Sequence, residues 1–141
     1  MATFLFKTEP GTFSYADLVK AKRATWDGVS NPGALAALRS VRKGDDVMIY
    51  HTGDEKAIVG LARAAGDAYA DPKQPGTTAA GEIKFAVVDV VPVRAAKTPA
   101  MLAAIKADAR FNDFALVRQA RLSVMLVPAN LAAALCKLAG L

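Results

Sequence analysis

The chain has 141 residues and a formal net charge of +5, with 18 Lys and Arg against 13 Asp and Glu. This length suffices for a hydrophobic core, and we expect residues 1–141 to form a single domain. One cysteine excludes an internal disulfide framework. We find no leader peptide and no apolar run of about 20 residues, so we expect a cytoplasmic, intracellular protein that does not enter membranes. The mild positive charge suits a polyanionic partner such as nucleic acid.

The first half of the chain predicts short strands and helices joined by turns. Ser14, with Asp17 three residues later, is typical of a helix N-cap. Asn31 followed by Pro32 predicts the start of a second helix. The predicted elements are a strand at 2–7, a helix at 15–22, a loop around Trp26, a helix from Pro32, and a β-hairpin of strands at 46–51 and 57–65.

The second half begins with a surface loop rich in Pro and Gly and ends in a helix. The predicted elements are the loop at 68–81, a strand at 83–93, a helix from Thr98 to near Asp108, an irregular segment or short helical turn at 110–119, a strand at 122–127 and a terminal helix from Pro128. The order β-α-α-β-β-β-α-β-α lacks regular βαβ alternation. It therefore favours an α+β fold with a small curved or barrel-like sheet.

The sequence gives little support for catalysis. His51 is the only histidine, and no serine stands in a nucleophile-elbow motif. A zinc site would need Cys136 and carboxylates distant from His51, and no glycine-rich phosphate-binding motif is present. We therefore expect no catalytic residue, no metal and no cofactor, and we interpret His51 as a pocket-wall or hydrogen-bonding residue.

The only tryptophan lies in a polar segment, just before the predicted helix start at Asn31. Two interpretations of Trp26 are open. The indole can fill the hydrophobic core, or it can form part of a site that binds a flat heterocycle, with Asp27 and backbone groups as hydrogen-bonding partners.

The basic residues concentrate in two segments. Segment 20–43 contains six Lys and Arg against one Asp, and segment 94–121 contains six against two. Solvated helix faces explain this pattern as well as a phosphate-contacting surface does. Arg118 and Arg121 precede a strand in which Ser123 is a polar group that needs a partner, so Ser123 could face a pocket.

Several short segments, taken together, resemble the EVE domain family of the PUA-like superfamily. They occur in the family's order and span nearly the whole chain. The segments are FLFKTEP at 4–10, WDGVSN at 26–31, KGD at 43–45, YHT at 50–52, VG at 59–60, DP at 71–72, VDV at 88–90 and LVRQARLSV at 116–124.

This resemblance implies a PUA-like pseudo-β-barrel, a mixed and strongly curved sheet of about 5–6 strands with surrounding helices. It also implies recognition of a modified nucleobase in DNA or RNA without a catalytic step. The implied pocket residues are Lys7, Thr8, Glu9, Trp26, Asp27, Gly28, Val29, Asn31, Arg118, Arg121 and Ser123, with Tyr50 and His51 nearby.

In the implied mechanism, an unpaired or flipped base stacks on Trp26. Glu9 and Asp27 then bind the polar edge of the base, and basic residues hold the nucleic acid backbone. Ser30 stands where the family usually has arginine, so we expect a weaker phosphate contact or a substitute such as Arg39 or Arg121. Two alternatives remain: a small-molecule or metabolite sensor that uses the same pocket, and an enzyme that acts on a nucleobase. We expect a monomer.

Overall fold

The computed structural model describes all 141 residues and contains seven strands and five α-helices. Their bounds are β1 (Thr3–Thr8), α1 (Tyr15–Ala21), β2 (Ala24–Trp26), α2 (Pro32–Arg39), β3 (Asp46–His51), β4 (Ala57–Ala64), β5 (Tyr69–Ala70), β6 (Ala86–Met101), α3 (Leu102–Ala107), α4 (Ala115–Arg118), β7 (Val124–Val127) and α5 (Ala129–Ala139), with a 3₁₀ turn at Ala109–Phe111. No helix has the length and apolar character needed to cross a membrane.

Six strands form one mixed sheet in the order β2-β6-β4-β3-β1-β7, and the short β5 pairs with β6. Only β1 and β3 are parallel, while all other pairs are antiparallel. The sheet curls into a half-barrel, and α2 packs against both β6 and β7. The predicted α+β class with a strongly curved, PUA-like sheet is confirmed.

Both faces of the sheet are buried, which explains the nearly continuous apolar character of β1. Phe4 and Phe6 point into the cluster that also contains Trp26, whereas Leu5 packs in a second cluster beneath α3, α4 and α5. These three β1 side chains are at most 1% exposed. A strand buried on both faces needs apolar residues at every position, so it loses the alternation of a half-buried strand.

Both helix starts predicted in the first half of the chain are confirmed. The Ser14 hydroxyl accepts from the backbone N–H of Asp17 at 3.0 Å, and the Asp17 carboxylate accepts from the N–H of Ser14 at 2.9 Å. Asn31 Oδ1 accepts from the N–H groups of Gly33 and Ala34 at the start of α2. These caps pair N–H groups that a helix leaves without partners in its first turn.

Three predictions of local structure were wrong. Trp26 ends a three-residue strand, β2, and is not in a loop. The strand predicted at 83–93 begins at Ala86 and continues to Met101, so no helix starts at Thr98, and α3 begins at Leu102. The loop predicted at 68–81 includes strand β5. Strand pairing overrides the local sequence signal in each case. Strands β2 and β5 pair with β6, and β6 itself pairs with β4.

Candidate functional site

A cavity of about 590 Å³ opens where three segments meet: the end of β1, the β2–α2 loop and the approach to β7. Ligand pockets in proteins usually have volumes of about 300–1,000 Å³, so the cavity has room for a small molecule or a base. Its lining residues are Lys7, Thr8, Glu9, Thr12, Phe13, Ala24, Thr25, Trp26, Asp27, Gly28, Val29, Ser30, Asn31, Arg121 and Ser123.

Trp26 contributes to both the cavity lining and the core. Its side chain is only 8% exposed, and its ring lies 5.3 Å from that of Phe6 and 6.1 Å from that of Phe13. The Phe13 ring is nearly perpendicular to the indole, at 82°. Such tilted and edge-to-face contacts hold aromatic rings firmly. Both interpretations of Trp26 therefore apply at once, because the indole fills the core and forms an aromatic wall of the cavity.

The end of β1 brings charged and polar groups to the cavity. The Lys7 ammonium donates to the carbonyl of Ala120 at 3.0 Å and lies over the Tyr50 ring, 5.7 Å from its centroid. Partial burial lowers the pKa of Lys7. Thr8 donates its hydroxyl proton to the Phe13 carbonyl at 2.7 Å. The hydrogen bond to Ala120 fixes the position of the Lys7 charge beside the cavity.

The Glu9 carboxylate is held by two hydrogen bonds and can still accept others. Its Oε1 accepts from the N–H of Gly11 at 3.1 Å, and its Oε2 accepts from the Thr52 hydroxyl at 3.3 Å. Each carboxylate oxygen can accept a further hydrogen bond. Glu9 is therefore an oriented acceptor at the exposed edge of the cavity.

The β2–α2 loop lines the cavity with residues 27–31. Gly28 has φ +74°, a left-handed conformation that favours glycine. The Asp27 carboxylate is exposed and has no hydrogen-bond or ion-pair partner in the protein, and neither does the Ser30 hydroxyl. The Asn31 amide NH₂ is free because only its oxygen serves as the helix cap. This loop therefore presents acceptors and donors that a ligand could use.

Arg121 and Ser123 complete the cavity from the segment before β7. The carbonyl of Ser123 accepts from the N–H of Lys7 at 2.8 Å, which joins this segment to β1. The Arg121 guanidinium is exposed and has no acidic or carbonyl partner. Arg39, the other candidate to replace the family's arginine at position 30, donates to the carbonyl of Ile83 and does not reach the cavity.

Three of the predicted site residues do not line the cavity. Tyr50 lies behind Lys7, as its contact with the ammonium shows. Arg118, at the end of α4, donates to the carbonyl of Asn112 and lies 3.7 Å from an Asp113 oxygen, on a different side of the segment from Arg121. The third is His51.

His51 is a structural residue that links β3 to α1. Its Nε2 accepts from the backbone N–H of Tyr15 at 2.9 Å, so this nitrogen carries no proton. Its Nδ1–H therefore donates to Glu55 at 2.7 Å. With 7% exposure and both ring nitrogens engaged, His51 is a neutral imidazole that has no free nitrogen for acid–base work.

Five lining residues were not among the predicted site residues: Thr12, Phe13, Ala24, Thr25 and Ser30. The first two return to the end of β1 because the N–H groups of Thr12 and Phe13 both donate to the carbonyl of Glu9 at 2.9 Å. The Pro10–Gly11 turn after a predicted strand was the available signal for this. Thr25 was not predicted because the sequence indicated a loop around Trp26, whereas Ala24–Trp26 form strand β2.

Thr25 belongs to a hydrogen-bonded cluster centred on Asp89, outside the cavity. The carboxylate accepts from the hydroxyls of Thr25 at 2.9 Å and Tyr69 at 2.7 Å, and from Arg23 at 2.9 Å. Burial would raise the pKa of Asp89, but these hydrogen bonds outweigh it and hold the pKa below its usual value. The bond to Asp89 raises the pKa of Tyr69.

The structure contains no group of three or more His, Cys, Asp or Glu side chains that could hold a metal ion. The cavity instead combines an aromatic wall with two cationic and two carboxylate side chains. Fold and cavity together describe a small α+β protein with a cavity lined in part by strands of a curled sheet.

The EVE domain family model matches residues 2–138, and the chain belongs to this family. The family resemblance inferred from the sequence is thereby confirmed. No curated protein matches the chain.

Solved structures with the same fold include bacterial and human proteins. The NMR structure of Rpa0253 from Rhodopseudomonas palustris is 38% identical, with a TM-score of 0.88, over 99% of this chain and 94% of that one. Human THYN1, solved in complex with 5-methylcytosine-containing DNA, is 27% identical, with a TM-score of 0.82, over 97% of each chain. An ASCH protein from Zymomonas mobilis, at 15% identity over 97% of this chain and 96% of that one, has a TM-score of 0.54 and shares the fold alone.

Proposed function

We propose that this protein recognises a modified nucleobase in DNA or RNA, without a catalytic step. One observation carries the proposal: the cavity joins an aromatic wall at Trp26 to hydrogen-bonding groups, Asp27 and Arg121, that have no partner within the protein. Polar groups that lack a protein partner do not destabilise the fold while they can form hydrogen bonds with water. When a ligand displaces that water, these groups favour ligands that replace the lost hydrogen bonds.

Each part of the cavity has a role in the proposed complex. An unpaired or flipped base enters and stacks against the exposed part of the Trp26 ring. Asp27 and Glu9 accept hydrogen bonds from its polar edge, while Ser123 and the amide of Asn31 offer donors. Lys7 and Arg121 contact the phosphates, and Arg121 takes the place of the arginine that Ser30 has replaced.

The relationship to human THYN1 supports this assignment. That protein was solved with DNA that contains 5-methylcytosine, and its structure covers nearly the whole of this chain. A methylated or hydroxymethylated pyrimidine is accordingly the first ligand to test. The hydrogen bonds that occupy both nitrogens of His51 support a reader over an enzyme.

Energetics favour single strands or weakly paired bases. Stacking on an aromatic side chain is worth roughly 1–3 kcal/mol per base, and removing a base from a duplex costs a few kcal/mol. These two contributions nearly offset each other. A methyl-sized group adds about 1–3 kcal/mol of discrimination, so selectivity for the modified base is expected to be about tenfold to a few hundredfold.

Direct binding tests the proposal. Fluorescence anisotropy would compare labelled strands of one sequence that carry cytosine, 5-methylcytosine or 5-hydroxymethylcytosine at one position, with wild type and Asp27→Ala. We expect one modified strand to bind best, and Asp27→Ala to reduce that preference while the protein stays folded. Equal affinity for all strands, or a preference that is unchanged in Asp27→Ala, would contradict the proposal.

We also expect a cytoplasmic monomer, and light scattering would measure the oligomeric state.

A second candidate is a sensor for a free heterocyclic metabolite. The cavity's charges favour it, because Lys7 and Arg121 are balanced by Glu9 and Asp27. Salt separates the two functions. Phosphate contacts make log K fall steeply as log salt rises, whereas a neutral heterocycle would bind with little salt dependence.

A further inference from the structure

The Asp89 cluster begins at the cavity wall and leads away from it. Thr25 lines the cavity, and its hydroxyl donates to Oδ1 of Asp89 at 2.9 Å. The same oxygen accepts from the Tyr69 hydroxyl at 2.7 Å. Tyr69 is thus held next to the cavity rim through one shared oxygen, although β5 is distant from β2 in sequence.

Tyr69 and Arg23 are each held by a hydrogen bond to Asp89, and part of each side chain remains exposed to solvent. Tyr69 is 39% exposed although its hydroxyl is bonded, so part of its ring faces solvent at a defined position. The Arg23 side chain is 59% exposed and donates to Asp89 from Nε and Nη2 only, so Nη1 remains free. An anchored aromatic ring and an anchored guanidinium lose little conformational freedom when they bind.

The surface that continues from Arg23 is basic. Lys20 and Lys22 are exposed at the end of α1, and neither forms an ion pair, although Asp17 lies one helical turn before Lys20. The Arg23–Asp89 pair has no net charge, so the net positive charge of this surface comes from Lys20 and Lys22. Positive charge beside exposed aromatic rings is the usual composition of surfaces that bind single-stranded nucleic acid.

We propose that Tyr69 and Arg23 form a subsite for the nucleotide next to the base held in the cavity. The neighbouring base stacks on the Tyr69 ring, and the phosphate between the two nucleotides is contacted by Arg23, with Lys20 and Lys22 further along the backbone. This inference rests on the proposed function. Because every base has a stacking face, the subsite adds affinity for a strand and does not select its sequence.

Ligands of increasing length test the subsite. The nucleoside 5-methyl-2′-deoxycytidine and DNA strands of three and five nucleotides centred on 5-methylcytosine would be titrated into wild type, Tyr69→Ala and Tyr69→Phe. We expect wild type to gain affinity from the nucleoside to the strands. Tyr69→Ala should lose about five- to hundredfold for the strands, the range that one stacked base supplies, with no change for the nucleoside. Tyr69→Phe should keep most of the strand affinity because it keeps the ring.

Arg23→Ala should also weaken only the strands, and Arg110→Ala provides its control. Arg110 forms an ion pair with Asp108, its side chain is 60% exposed, and it does not line the cavity. If Arg23→Ala and Arg110→Ala weaken strand binding equally, general charge explains the effect and the subsite is excluded.

The outcomes for the subsite and for the proposed function can be told apart. If wild type binds modified strands and Tyr69→Ala binds them equally well, the subsite is excluded and the proposed function stands. If Tyr69→Ala weakens the nucleoside as much as the strands, Tyr69 acts only by supporting the cavity wall. If wild type binds neither nucleoside nor strand, the proposed function fails and the subsite fails with it.

Discussion

The indole of Trp26 lies 5.3 Å from the ring of Phe6, with the ring planes tilted by 49°. Phe6 is fully buried on β1, the strand that lies between β3 and β7. The wall of the cavity is therefore continuous with the core. A ligand in the cavity would contact a surface that the folding of the whole domain holds in place, which is the arrangement that rigid recognition requires.

Replacing Trp26 should lower the free energy of unfolding, because the indole is part of the core as well as of the cavity wall. Trp26→Ala removes a buried aromatic side chain and should lower the free energy of unfolding by about 3–5 kcal/mol. Trp26→Phe keeps an aromatic wall and should cost less. Urea unfolding followed by circular dichroism measures both. A loss below about 1 kcal/mol for Trp26→Ala would show that the indole does not contribute to the core.

His51 should contribute to folding and not to ligand chemistry. His51→Ala leaves the backbone N–H of Tyr15 buried without an acceptor, which should cost about 1–3 kcal/mol. Glu55→Gln keeps an acceptor for Nδ1–H at a side chain 43% exposed, so it should cost less than about 1 kcal/mol. Denaturant unfolding compares the two variants. Equal losses would contradict the assigned protonation of His51.

Asp89 should make stability depend on pH in the acid range. Its pKa is held below the usual value in the folded protein, so the folded state takes up a proton less readily than the unfolded state. The resulting stabilisation is present above about pH 4, the pKa of an unfolded aspartate, and is lost as the pH falls through the folded pKa.

The matched variant for this pH effect is Asp89→Asn. At pH 7 it should be less stable than wild type by about 1–3 kcal/mol, because three donors lose a charged acceptor. At pH 3 this difference should shrink, because the unfolded wild type then binds a proton at Asp89 and the stabilisation of the folded state falls. Urea unfolding at the two pH values measures it. A difference that grows toward pH 3 would have the wrong sign for a depressed pKa.

Arg121 should account for one phosphate contact. Arg121→Ala should reduce the slope of log K against log salt by about 0.7 for a single strand, with weaker binding to every sequence. Arg110→Ala, which removes an equal charge away from the cavity, should leave the slope unchanged. Anisotropy titrations between 50 and 200 mM salt, roughly the range over which such slopes are measured, would decide it. An unchanged slope for Arg121→Ala would exclude this contact.

Much of the cavity could be predicted from the family resemblance, because most of its lining residues fall in three of the short segments that carry that resemblance. Residues 7–9 and 26–31 lie at a strand end and in the loop before a helix cap, where side chains converge. Arg118 shows the limit of this reasoning. It ends α4, and the turn in which Leu122 donates to the carbonyl of Gln119 directs Arg121 toward the cavity and leaves Arg118 beside Asn112. Spacing along the chain does not reveal such a turn.

Strand β6 shows why local signals failed elsewhere. Thr98 and Pro99 have the sequence of a helix start, yet they lie in a strand paired with β4. Ile58 pairs with Ala100 and Gly60 with Ala95, so residues 96–99 lie opposite Val59 alone. A bulge of this kind accommodates a proline, which has no N–H to donate. Only the position of the partner strand determines this.

The fluorescence of Trp26 gives the most direct test of the central claim. As the only tryptophan, and a lining residue of the cavity, it reports occupancy without a label. Short strands that carry cytosine, 5-methylcytosine or 5-hydroxymethylcytosine would be titrated at two salt concentrations. We expect quenching that is strongest for a modified strand and that requires a higher strand concentration at the higher salt concentration. Unchanged fluorescence with every strand, in a sample shown to be folded, would contradict it.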